Sequence, residues 1–527
     1  MKCIKVISLI VLAVFCFTFC TSKKTSKEVE SSTLKPNIIV ILADDLGYND
    51  VGFNGSLEVP TPNLDKLAES GLRCTNAYVT HPYCGPSRAG LITGRYQRRF
   101  GVQANPHKND TIEGLPLSEL TIADLLKKQD YTTAVIGKWH LGKNRIFHPL
   151  KRGFDHFFGF VGGGHQYHLD ELKDTPHWNS DADTEWFEDY TSWLELNGKP
   201  DPKYMGKEGY ITDVLSDESV NFIKKNKENP FFLHLSYNAP HDPFQATEKY
   251  LKRVENVNFD TSFIKDKSQV DSYLKNRKIY AAMVNALDEG VGQILKTLED
   301  EKLTENTLIV FLSDNGGDGR FNHRFVGDEY AVPAPENHTP MVASNLPLRG
   351  NKGDALEGGI RVPFLMSWPG VLPKGVDYNG IVSSLDILPT AVSVAGGNLP
   401  TDREYDGSNI LPFLMQGQVV ERSFHWYRFK ALAYGSNLYG DWLEISSRKG
   451  DWKLYRRGKD ASYHLFNLSE DIGEQNNLAD QYPEKVEEMI RAYQEWIQTH
   501  KAPLYLDYPI KKHNVEELYF THNEAIK

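Results

Sequence analysis

The densest chemistry in the chain lies in His81-Pro82-Tyr83-Cys84-Gly85-Pro86-Ser87-Arg88, continued by Ala89-Gly90-Leu91-Ile92-Thr93-Gly94-Arg95. Pro is tolerated in a first helical turn, where its missing N–H is not needed. The spacing predicts a short helix from about residue 87 to 92, closed by Gly94. Cys84 then stands just before a helix N-terminus, where backbone N–H groups and the helix dipole favour an anion. Alone, a Cys is more often a small buried hydrophobe. Its neighbourhood has to decide.

Other candidate groups sit where apolar runs end. Residues 36–43 are continuous and apolar, the pattern of a parallel strand buried on both faces. They run into Asp44-Asp45. Two carboxylates there repel each other and lose hydration, which is costly unless a cation compensates. Asp44 and Asp45 are therefore read as metal ligands, against a polar turn with a helix cap. Residues 307–312 repeat the pattern and end in Ser313-Asp314-Asn315-Gly316-Gly317. Oxygen donors of this kind suit Ca²⁺ or Mg²⁺ better than zinc. A strand at 131–136 precedes Gly137-Lys138-Trp139-His140-Leu141-Gly142, and one at 230–237 precedes Asn238-Ala239-Pro240-His241-Asp242. Lys138, His140 and His241 are all expected beyond strand ends, where ligands gather in open α/β sheets.

The chain has 527 residues, 40% of them apolar, and a net charge of -11. It exceeds one compact core and suggests a large domain plus a smaller one. The acidic balance gives no reason to expect nucleic acid as a partner. Residues 1–20 read as an export segment, with Lys2 and Lys5 before an apolar run too short for a membrane span. Residues 21–33 read as a polar tether. Cys20 is placed as in a lipidated exported protein, with ordinary signal cleavage as the alternative. Five Cys, three of them in the export segment, do not make a disulfide framework. For Cys74 and Cys84, a mutual bridge remains one reading.

Residues 34–420 are read as the catalytic domain and 421–527 as a small C-terminal subdomain. The first carries a long helix at about 269–298, whose apolar stripe recurs every three or four residues. An irregular aromatic stretch starts at Arg152. It includes His165, His168, Trp178, Trp186, Tyr190 and Trp193, suited to sugar faces and hydroxyls or to covering the core. A long loop at 318–347 carries Arg320, His323 and His338. With His165 and His168, these are the expected substrate contacts. The subdomain shows short strands with polar turns and a terminal helix at 483–500.

Cys84-Gly85-Pro86-Ser87-Arg88 with Leu91-Ile92-Thr93-Gly94-Arg95 resembles the Cys-x-Pro-Ser-Arg signature of the type I sulfatases. Gly137-Lys138-Trp139-His140-Leu141-Gly142 is similar to the second signature of that family. Arg349-Gly350-Asn351-Lys352, followed by Glu357-Gly358-Gly359-Ile360-Arg361-Val362-Pro363, resembles a third block. The resemblance implies an alkaline-phosphatase-like α/β fold: a large, mostly parallel sheet between helices, with a small α+β subdomain. It implies that Cys84 is oxidised to formylglycine (3-oxoalanine) by a maturing enzyme. Its hydrate, held on one divalent cation, would attack sulfur, and the diol would later expel sulfate unaided. Asp44, Asp45, Asp314, Asn315 and residue 84 would form the cation shell, Ca²⁺ first and Mg²⁺ second. Lys138 and Lys352 would bind sulfate oxygens, and Arg88 would hold the modified residue. His241 would protonate the leaving alcohol, Asp314 would assist deprotonation of the attacking hydroxyl, and His140 would take the second proton.

The resulting expectation is an exported bacterial enzyme, periplasmic or lipid-anchored at the outer membrane, that removes sulfate from a poly- or oligosaccharide. Two alternatives stand beside it: a phosphatase or phosphodiesterase on the same fold, and a catalytically dead surface glycan-binding protein.

Overall fold

The computed structural model describes residues 35–172, 192–204, 206–264, 266–319, 342–430, 442–458 and 461–505. The expected export segment and tether, Cys20, Trp178, Trp186, Tyr190, Arg320, His323 and His338 lie outside the described residues.

Apolar strands without alternation build the centre. β1 (Asn37–Ala43), β2 (Leu72–Tyr78), β3 (Thr132–Lys138), β4 (His156–Phe160), β5 (Glu195–Leu196), β6 (Lys199–Pro200), β7 (Phe231–Ser236), β8 (Thr307–Ser313), β9 (Phe364–Ser367) and β10 (Val376–Ser383) form one sheet. Their order is β10-β2-β9-β8-β1-β7-β3-β4-β5-β6. β8, β1, β7, β3 and β4 run parallel. β9 is antiparallel to both β8 and β2, so β2 again points the same way as β8. β10 is parallel to β2, so seven strands deliver their carboxyl ends to one edge.

Both faces of the sheet are covered, which is why the strands read as continuous apolar runs. Along β1, Ile39, Ile41 and Ala43 enter one core cluster and Ile38, Val40 and Leu42 the other. β8 divides likewise, with Ile309 and Phe311 on one side and Leu308, Val310 and Leu312 on the other. Each such large side chain contributes about 1.5–3 kcal/mol by leaving water. The first cluster includes the long helix Val270–Asp300, through Tyr280, Met283, Val284, Leu287, Val291, Ile294 and Leu298. That stripe is core, as its spacing predicts.

A second sheet, antiparallel throughout, joins β11 (Ser423–Lys430), β12 (Trp442–Lys449), β13 (Trp452–Arg457) and β14 (His464–Asn467) in sequence order. The terminal helix Pro483–Ile497 covers it through Met489, Tyr493 and Ile497. The two sheets share a core: Tyr78, Ile360, Ile381 and Leu385 pack with Phe424, Trp426, Tyr455 and Phe466. No helix among the described residues is long and apolar enough to cross a membrane.

Several expected boundaries move. The Cys84 helix spans Cys84–Thr93, so Cys84 is its first residue rather than the one before it. β3 continues through Lys138, which closes the strand instead of following it. The stretch after Arg152 is less irregular than expected, because His156–Phe160 pairs with β3. Cys74 and Cys84 are both free and buried, which removes the bridge.

Candidate active site

The carboxyl edge gathers the expected groups. Cys84 Sγ lies 3.5 Å from Asp44 Oδ1 and 3.9 Å from Asp45 Oδ1. Lys138 Nζ donates to Asp44 Oδ2 at 2.6 Å, both side chains fully buried. Lys352 Nζ pairs with Asp45 Oδ2. Arg88 forks onto Asp314 Oδ2 through Nε and a terminal nitrogen, each at 2.8 Å. Its other terminal nitrogen donates to Ser236 Oγ at 2.5 Å and to the Lys138 carbonyl at 3.2 Å. Three carboxylates are thus matched by three fixed cations.

His241 completes the ring. Its Nε2 is 3.6 Å from Asp45 Oδ2, and its Nδ1 lies 2.7 Å from the Asp242 carbonyl. Tyr167 holds that loop, donating to the carbonyls of Asn238 and His241 at 2.7 and 2.8 Å. Ligand atoms of Asp44, Asp45, Cys84 and His241 all fall within 4.8 Å of one another. Asp314 touches this group through Arg88 and through the Asp45 N–H, which donates to its Oδ1 at 3.3 Å. Asn315 donates to Asp45 Oδ1 at 2.7 Å, while its own Oδ1 is buried without a partner.

The electrostatics follow from burial. Burial alone would raise Asp44, but Lys138, His241, Arg88 and Lys352 outweigh it and hold the carboxyl far below its usual range. At Asp45 burial again pushes upward, and Lys352 and His241 prevail, so that it too is lowered. Asp314 is pushed up to about 6 by burial and by repulsion from Asp44. Burial drives the Cys84 thiol well above 9.0 despite both lysines. An unmodified Cys84 is therefore a neutral thiol and a poor nucleophile. Burial, then Lys138 and Arg88, keep His140 well below 6.5, so it is a neutral imidazole.

Oxygen-rich, buried and carrying an orphaned amide oxygen, this donor set fits a hard divalent cation. Asp44, Asp45, Asp314, the Asn315 amide and residue 84 are the groups that would hold it, with His241 beside them. Amide oxygen and nitrogen are interchangeable by a flip of the side chain. Asp45 and His140 both adopt left-handed backbone, with φ of 62° and 56°. Such strain in non-Gly residues is characteristic of functional loops.

Supporting residues are less visible in the sequence. Ser236, which accepts from Arg88, also donates to the Lys138 carbonyl at 2.7 Å. Ser313 Oγ accepts the Leu46 N–H at 3.0 Å. Tyr280 on the long helix accepts the Gly47 N–H at 3.1 Å and donates to Asp50 at 2.8 Å. Asn105 accepts the Gly85 N–H at 2.9 Å. For Ser236 and Ser313 the available signal is a single polar residue ending an apolar strand.

Of the expected substrate contacts, His165 needs correction. It is fully buried, with ring nitrogens 2.6 Å from the Gln166 and Ser192 carbonyls, and it ties two chain segments together. His168 is half-buried against Tyr210. Trp193 packs on the core and donates to the Leu172 carbonyl.

Residues 36–397 match the Sulfatase family model, and residues 352–511 match the model for the C-terminal region of N-sulphoglucosamine sulphohydrolase. The chain is 32% identical to human N-acetylgalactosamine-6-sulfatase, over 81% of this chain and 74% of that one. It is 30% identical to the uncharacterized sulfatase YdeN of Escherichia coli K12, over 89% and 87%. The crystal structure of Ps i-CgsB in complex with k-i-k-neocarrahexaose is 35% identical, covers 93% of this chain and 97% of its own, and superposes with a TM-score of 0.77. A family match over most of the chain, identity at this level and a fold so closely shared leave one assignment: this chain is a type I sulfatase of the alkaline-phosphatase-like superfamily, an enzyme that hydrolyses sulfate esters.

Proposed function

We propose that the enzyme desulfates a carrageenan-type oligo- or polysaccharide, using formylglycine made from Cys84 and one divalent cation, Ca²⁺ ahead of Mg²⁺. The observation that carries the chemistry is the pair of lysines flanking Cys84, Lys138 on Asp44 and Lys352 on Asp45. The substrate class rests on the 35% identity, nearly end to end, with the carrahexaose-bound enzyme.

Sulfate transfer needs a nucleophile, neutralised sulfate oxygens and a proton for the leaving alcohol. Oxidation of Cys84 supplies the first as a hydrated aldehyde, which the buried thiol cannot match. The cation, when bound by Asp44, Asp45, Asp314, Asn315 and residue 84, would supply Lewis-acid polarisation. Lys138, paired with Asp44, and Lys352, paired with Asp45, would hold sulfate oxygens. Asp314, fixed by the Arg88 fork, is placed to accept a proton near neutral pH. His241, anchored at Nδ1 by the Asp242 carbonyl, presents Nε2 to the leaving oxygen. His140, neutral through burial, accepts the last proton. Export through residues 1–20, with lipidation at Cys20, belongs to the same proposal. Palmitate labelling abolished by Cys20→Ser is its expected signature.

The test uses protein co-expressed with a formylglycine-generating enzyme. Free sulfate is measured on defined carrageenan oligosaccharides, N-acetylgalactosamine 6-sulfate, and p-nitrophenyl sulfate against p-nitrophenyl phosphate. Sulfate release from the carrageenan series is expected, with an aldehyde at position 84 by mass spectrometry. Preference for phosphate, or full activity with an intact thiol, would sink the mechanism. Activity confined to N-acetylgalactosamine 6-sulfate would sink the substrate assignment alone.

A further inference from the structure

Lys352 sits on a loop that the main sheet does not hold by itself. Its N–H bonds to the Gly317 carbonyl at 3.1 Å, and the next N–H, of Gly353, bonds to the Pro82 carbonyl at 2.8 Å. The following contacts come from the antiparallel sheet. Glu444 on β12 accepts the Ala355 N–H at 2.8 Å. Arg428 on β11 lies between Glu444 at 3.3 Å and Asp354 at 3.7 Å. Its remaining terminal nitrogen donates to Tyr83 Oη at 3.0 Å, and its guanidinium carbon stands 5.1 Å from the centre of that ring.

Tyr83 immediately precedes the helix that begins at Cys84. Gly353 immediately follows Lys352. The two touch: a Cβ on Gly353 would lie 2.8 Å from Tyr83 Oη and 3.3 Å from Arg428, at a φ of +92°. One buried guanidinium therefore spans the residue before the nucleophile and the segment just after the sulfate-binding lysine. A planar fork fixes direction as well as distance, which a lysine cannot do.

We propose that Arg428 is a positioning residue for catalysis, setting the separation between residue 84 and Lys352 through Tyr83 and Asp354. The C-terminal sheet is thereby part of the active-site framework. This rests on the sulfatase mechanism above for its kinetic consequence, and on the contacts alone for its structural one. Displacements of about 1 Å in a reacting constellation can cost about 100-fold in rate.

The test combines Arg428→Gln, Arg428→Lys and Tyr83→Phe in matured enzyme. Arg428→Gln is expected to lower kcat about 10- to 100-fold with KM changed less than about threefold. Arg428→Lys should recover only part of the loss. Tyr83→Phe, which removes one hydroxyl, should lose about 3- to 10-fold, and adding it to Arg428→Gln should cost little more. In a Lys352→Ala background, Arg428→Gln should cost less than about threefold, because the group it positions is gone. Equal losses in both backgrounds overturn the proposal, since they describe general destabilisation. Hydrogen exchange supplies a readout independent of turnover. Faster exchange in Arg428→Gln at residues 349–357 and 82–86 is expected, and unchanged exchange there refutes the clamp. Should wild-type enzyme release no sulfate, the mechanism falls, while exchange still decides whether Arg428 ties the two segments together.

Discussion

Replacing Lys138 by methionine tests whether Asp44 serves both an ammonium and a cation. The pair is 2.6 Å apart and fully buried. With an effective dielectric of about 20, its gross attraction is about 6 kcal/mol. Removing the ammonium leaves Asp44 buried with Arg88 at 3.7 Å, and such losses run to about 3–5 kcal/mol. In EDTA the Lys138→Met variant should unfold well below the wild type. Divalent cation changes the comparison. At 100 times its Kd, a ligand of the native state adds about 2.7 kcal/mol. The thioether does not compete for Asp44, so the cation should bind the variant more tightly and stabilise it more. The expected result is a large gap in thermal midpoint without cation that narrows as Ca²⁺ is titrated, while sulfate release stays abolished. Scanning calorimetry of both proteins in EDTA and across Ca²⁺ concentrations measures it. A gap of constant size would refute the placement of Asp44 in the cation shell. No gap in EDTA would refute the energetic weight given to the buried pair.

Gly163→Ala should lower kcat about 10- to 100-fold with a small change in KM, because a Cβ there would lie 2.8 Å from His140 Nε2. Unchanged steady-state kinetics would show that His140 can shift without cost. Asp288→Ala should cost about 2 kcal/mol in chemical denaturation and leave kcat intact. Asp288 on the long helix accepts the N–H groups of Asn63 and Leu64 at 3.0 and 2.8 Å at the start of helix Pro62–Glu69, away from the site. Burial, aided in places by nearby arginines, holds His81, His234 and His425 at about 3, below their ordinary 6.5. The unfolded chain therefore takes up protons below pH 6.5 that the fold refuses until about 3. Stability is complete above about 6.5 and is lost on descending towards about 3, by about 2 kcal/mol per histidine at about pH 5. Urea midpoints should fall in order from about pH 7 through about 6 to about 5, and a flat series would contradict the burial argument.

The catalytic edge is legible in the sequence because its logic is local. Asp44-Asp45 and Asp314-Asn315 each end an apolar run, and parallel strands bring such ends together whatever their order in the sheet. The order itself is not legible. Nothing in residues 231–236 says that they lie between β1 and β3, since the pairing is set by crossovers of many residues. β4 escapes detection because His156-Phe157-Phe158-Gly159-Phe160 carries a Gly and a His and looks like the irregular aromatic segment it opens. Cys84 falls about three residues outside its expected helix because Gly85 and Pro86 suppress helix propensity. Here Pro86 is the third helical residue, where a missing N–H still costs little. His165 reads as a contact because a His beside three glycines resembles a binding loop, and only the two carbonyls on its ring reveal a tie between segments. Arg428 carries no signal at all. Its role depends on a sheet-to-loop contact across about 75–345 residues of sequence, the separations to Asp354 and Tyr83.

Under the proposed mechanism, charge balance would favour the reacting sulfate over the resting ester. Asp44, Asp45 and Asp314 contribute -3, and Arg88, Lys138 and Lys352 contribute +3, which sums to zero. A divalent cation brings the total to +2. A sulfate ester carries a single negative charge, whereas the departing sulfate carries two. The ester would therefore leave the pocket at +1. Transfer of sulfate to residue 84 would keep it a singly charged ester, with the leaving alkoxide neutralised by the proton of His241. The second negative charge would develop on sulfate only as residue 84 expels it. In a buried, water-excluded site that difference falls on the transition state, which is where stabilisation raises turnover rather than affinity. The same arithmetic explains the two lysines. Bound to Asp44 and Asp45, they keep a pocket of buried carboxylates foldable before any cation arrives. Under the proposed mechanism, a cation held by those carboxylates would weaken the two pairs, and Lys138 and Lys352 could then turn hydrogen bonds to sulfate oxygens. On that mechanism, folding and catalysis would call on the same lysines at different times. This is why the contact that fixes Lys352 from the antiparallel sheet bears on rate as much as on stability.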